Sequence, residues 1–67
     1  MHLLVRDPEY TDRLAGFLRS LGQAAFVRDP RSVEVSAEDL ELTREDLVIY
    51  LRVWKALYPN ADVELRP

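Results

Sequence analysis

Five carboxylates fall between positions 38 and 46: Glu38, Asp39, Glu41, Glu45 and Asp46. Hard divalent cations require several carboxylate oxygens converging at close range, so this stretch is the first place to look for a metal. A calcium loop also needs a glycine at its sharp turn and an alternating Asp/Asn series, and residues 38–46 contain neither. Solvation of a loop and the field at a helix N-terminus account for the same acids. His2 is the only histidine, and the sequence places no second ligand or nucleophile beside it, so an acid–base role there lacks partners. The two glycines, Gly16 and Gly22, make no phosphate-binding loop. The chain has no cysteine, which removes disulfides, thiolate zinc sites and thiol nucleophiles. The expectation is a non-enzymatic protein with no catalytic residues, no metal and no cofactor.

Tyr50, Trp54 and Tyr58 stand at the spacing of one helical face. Aromatic residues on such a stripe pack into a core far more often than they form an exposed stacking platform.

These residues need elements to hold them. Residues 2–6 are short and apolar, and as a strand they place Leu3 and Val5 on one face. Asp7-Pro8 then starts a helix, with Asp as a cap and Pro at the first turn. Tyr10, Leu14, Phe17, Leu18 and Leu21 form its amphipathic stripe, and Gly22 ends it. Residues 24–27 read as a second strand, followed by the turn Asp29-Pro30-Arg31-Ser32 and a third strand with Val33 and Val35 facing inward. Residues 37–42 read as an acidic loop. Thr43 with Asp46 resembles a capping box for a helix running to about Tyr58. Its core stripe is Leu47, Tyr50, Leu51, Trp54, Leu57 and Tyr58, and Ile49, Val53 and Ala56 widen the apolar arc beyond that stripe. The extra arc either packs sideways on the first helix or forms the interface of a homodimer or a protein partner. Residues 62–66 alternate as a last strand.

The order is strand, helix, hairpin, helix, strand. This predicts an α+β fold of the ferredoxin-like βαββαβ kind: a four-stranded antiparallel sheet in order 4132 with two helices on one face. The alternative is a smaller sheet whose last strand pairs with another chain. The expected outer face of the sheet carries His2, Leu4, Arg6, Glu34, Ser36, Asp62, Glu64 and Arg66, with no exposed aromatic ring. An RNA-binding sheet needs rings at those places.

At 67 residues one domain, 1–67, is all the chain can hold. A chain of this size buries only ~60% of its unfolded surface, so association would add usefully to a thin core. The net charge of −3 has the wrong sign for nucleic-acid binding. No uncharged apolar run approaches membrane-spanning length, and the expected location is the cytoplasm.

The string Val5-Arg6-Asp7-Pro8, the helix end Phe17-Leu18-Arg19-Ser20-Leu21-Gly22 and the strand over 24–27 make the first 27 residues resemble the prokaryotic signal-transducing domain family, whose members are small and ferredoxin-like. More distantly they resemble the amino-acid-sensing ACT domains. The first resemblance implies a regulatory or protein-interaction module, which we expect to self-associate. The second implies a small-molecule sensor with its ligand near Asp7, Pro8 and Tyr10 at a dimer interface. A small enzyme is the remaining alternative, and no nucleophile–base pair supports it.

Overall fold

Leu3 and Val5 are buried while His2 and Leu4 are only partly covered, the period-two pattern of a strand with one face on a core. The computed structural model describes residues 1–36 and 44–66. In it this strand, β1 (His2–Val5), lies between β3 (Ser32–Val35) and β4 (Val63–Arg66), and β2 (Ala25–Asp29) lies outside β3. Every neighbouring pair is antiparallel. The order β2-β3-β1-β4 is the expected 4132 read from the other edge. Two helices, α1 (Thr11–Ser20) and α2 (Arg44–Leu57), complete an α+β chain. The acids Glu38, Asp39 and Glu41, the loop expected over 37–42 and the cap expected at Thr43 lie outside the described residues.

Local chemistry explains most element ends. Asp7 Oδ1 accepts from the Glu9 amide at 3.0 Å, but the element it caps is a short 3₁₀ turn, Pro8–Tyr10, that precedes α1. The buried Thr11 hydroxyl donates to the Pro30 carbonyl at 2.6 Å, so the start of α1 is tied to the β2–β3 turn. At the other end Gly22 takes φ 85°, the Gly22 amide donates to Arg19 and the Gln23 amide donates to Leu18. That is a Schellman closure, which uses the freedom of a residue without Cβ. Strand β2 extends to Asp29, which pairs with Ser32 across Pro30-Arg31. Neither turn residue has positive φ, so the primed turns that suit a tight hairpin are not available. The register shift between Val27 and Asp29 absorbs the mismatch.

One core cluster takes Leu3 and Val5 from β1, Leu14, Ala15 and Leu18 from α1, Val33 and Val35 from β3, and Leu47 and Trp54 from α2. Tyr50 and Tyr58 pack against it, so the helical aromatics belong to the core. Ala25 and Ala61 are also fully buried, small residues where backbone and core come close.

Three expectations need correction. Leu57 does not join the core stripe: it is exposed, as is Leu21, because each sits at a helix end beyond the last covered turn. Ile49 and Val53 do not pack on α1 and remain 54% and 49% exposed. The outer sheet face does carry an aromatic ring. Phe26 is 55% exposed and stands opposite Glu34, which stands opposite His2.

Candidate functional site

Helix α2 positions the most distinctive surface. Glu45 and Asp46 in its first turn and Lys55 in its last suit the helix dipole, and its core side is set by Leu47 and Trp54. Ile49, Val53 and Ala56 follow one another by four and three residues, the spacing of a single face. All three are exposed, as is Leu57. A shallow depression of about 420 Å³ lies on the flank of this face, lined by Glu45, Val48, Ile49 and Arg52. Among the described residues, neither Glu45 nor Arg52 makes an ion pair with another side chain.

Asp7, Pro8 and Tyr10 come together at the start of α1, but their polar and aromatic groups are engaged within the protein. The Asp7 carboxylate caps the 3₁₀ turn. The Tyr10 ring meets Trp54 edge-on at 6.4 Å and Tyr58 at 5.9 Å. The Arg13 guanidinium lies 5.5 Å from the Tyr10 ring centre and 5.4 Å from that of Tyr58, a cation–π contact to both. Here the residues singled out as ligand contacts join α1 to the end of α2.

The outer sheet face holds a second cluster, which spacing alone did not reveal. Glu34 Oε2 lies 2.7 Å from His2 Nδ1 and accepts from Arg28 Nη1 at 2.8 Å. An open depression beside them is lined by His2, Leu4, Arg28, Asp29, Ser32 and Arg66. Strict alternation from the buried Ala25 would have placed Phe26 on this face. Arg28 reaches it only because of the irregularity after Val27. The opposed charges of Arg28 and Glu34 largely cancel, and His2 has no nucleophile beside it.

Among the described residues there is no group of three or more His, Asp or Glu side chains placed to hold a metal ion. None of the described helices is long and apolar enough to cross a membrane. Comparison of the chain with protein-family models, with curated proteins and with solved structures gives no match.

Proposed function

We propose that this chain is a small, non-enzymatic regulatory or protein-interaction module of ferredoxin-like architecture that self-associates through the outer side of α2. The observation that carries this is the run Ile49, Val53 and Ala56, apolar at helical spacing and left in water by a fold whose core is closed without it. A half-exposed isoleucine and valine gain nothing from where they stand, and contiguous apolar surface of this kind marks contact sites. The strand order and the strand–helix–hairpin–helix–strand sequence support the ferredoxin-like architecture.

The test is sedimentation velocity on the wild type and on Val53→Glu, from micromolar concentration to about 1 mM, the range in which small interfaces associate. The wild type should show a concentration-dependent rise in sedimentation coefficient. Val53→Glu should remain monomeric with an unchanged circular dichroism spectrum. A wild type that stays monomeric throughout counts against self-association.

A further inference from the structure

The depression on α2 has a shape that identifies its occupant. Its four lining residues, Glu45, Val48, Ile49 and Arg52, stand at i, i+3, i+4 and i+7. Four residues so spaced form the hole into which a single side chain of a facing helix inserts. The rim is polarised: the acid lies toward the helix N-terminus and the base lies seven residues on, about 10.5 Å along the axis. A facing helix therefore needs an apolar knob, with a basic group to one side for Glu45 and an acidic group to the other for Arg52.

We infer that the occupant is α2 of a second copy, crossing antiparallel about a two-fold axis that passes between Val48 and Ile49. This rests on the proposal that the outer side of α2 is the contact surface, and it specifies the partner and the geometry. Glu45 and Arg52 lie equally far from that axis on opposite sides, so the rotation brings Glu45 of each copy to Arg52 of the other. The same rotation places Ile49 of each copy over the hole of the other, and a two-fold contact must be self-complementary in this way. Antiparallel helices also oppose their dipoles favourably. A parallel crossing in register would instead set Glu45 against Glu45 and Arg52 against Arg52. A single helix crossing buries well under the ~1,200 Å² of a standard interface, so the pair is weak and its rim charges matter for specificity.

Charge reversal tests the axis directly. Arg52→Glu and Glu45→Arg are prepared separately, as an equimolar mixture and as the double reversal in one chain. Each is examined by sedimentation equilibrium up to about 1 mM, with circular dichroism to verify folding. Each single variant should dissociate, with the dissociation constant raised at least about tenfold. The mixture should form a one-to-one pair, because it sets two acids against two bases, and the double reversal should recover wild-type association. Single variants that associate like the wild type, or a mixture that does not associate, would overturn the two-fold. If Ile49→Glu dissociates the wild type while the reversals do not, α2 is still the contact and only this geometry fails. A wild type that is monomeric at every concentration removes both.

Discussion

The indole Nε1 of Trp54 donates to the backbone carbonyl of Ala61 at 3.1 Å, in a site closed to solvent. Trp54 is on α2 and Ala61 lies in the connection to β4, so this bond sets where the last strand begins. The turn between them is closed by the Tyr58 amide on the Trp54 carbonyl and the Ala61 amide on the Tyr58 carbonyl. The ring itself touches Phe17 at 5.4 Å and Tyr58 at 4.4 Å between centres.

Trp54→Phe keeps most of the apolar contact but leaves the Ala61 carbonyl buried without a donor. The expected loss is about 1–3 kcal/mol, from the unsatisfied acceptor and the volume removed. Urea denaturation followed by circular dichroism measures it, and a change below about 0.5 kcal/mol would show that the bond does not anchor the turn.

Leu47 and Ile49 are two residues apart on α2 and should respond in opposite ways. Leu47 is fully buried, and Leu47→Ala is expected to cost about 2–5 kcal/mol. Ile49→Ala should change the stability of the monomer by less than about 0.5 kcal/mol, because the site is half in water and alanine favours the helix. Urea midpoints at low protein concentration separate the two.

The two glycines offer a matched pair. A Cβ at Gly16 would meet nothing within 4 Å, and Gly16→Ala in the middle of α1 is expected to stabilise by about 0.5–1 kcal/mol. Gly22 has equal space but φ 85°, so Gly22→Ala is expected to destabilise by about 1–2 kcal/mol. Thermal melts should move in opposite directions, and melts moving the same way would contradict the left-handed closure.

Lys55 pairs with Asp62 across the α2–β4 connection, and its hydrogen bond, followed by its charge, lowers the Asp62 pKa below 3.8. A carboxylate depressed in the folded state adds stability above its unfolded pKa, and that stability is lost as pH falls through the folded value. Lys55→Gln should therefore be less stable than the wild type at about pH 6, with the difference closing toward about pH 2.5. Both groups are exposed, so the effect is small, and salt should reduce it. A difference independent of pH would assign it to packing of the lysine stem.

Amino-acid order alone determined the succession of elements, because alternation in strands and the 3.6-residue period in helices are local properties of the chain. Leu3, Val5, Val33 and Val35 are legible as core for that reason, and Asp7 and Gly22 as element ends. The apolar arc of α2 is equally legible. Which part of it would be covered is not, because periodicity reports that a residue is apolar and says nothing of the distance to the nearest packed neighbour. The tertiary arrangement decided that Leu57, Ile49 and Val53 stay in water, that Tyr10 and Arg13 close against Tyr58, and that Phe26 and Arg28 join Glu34 on the outer face. Each depends on how far two elements distant in sequence approach each other, a quantity set by the whole packed core.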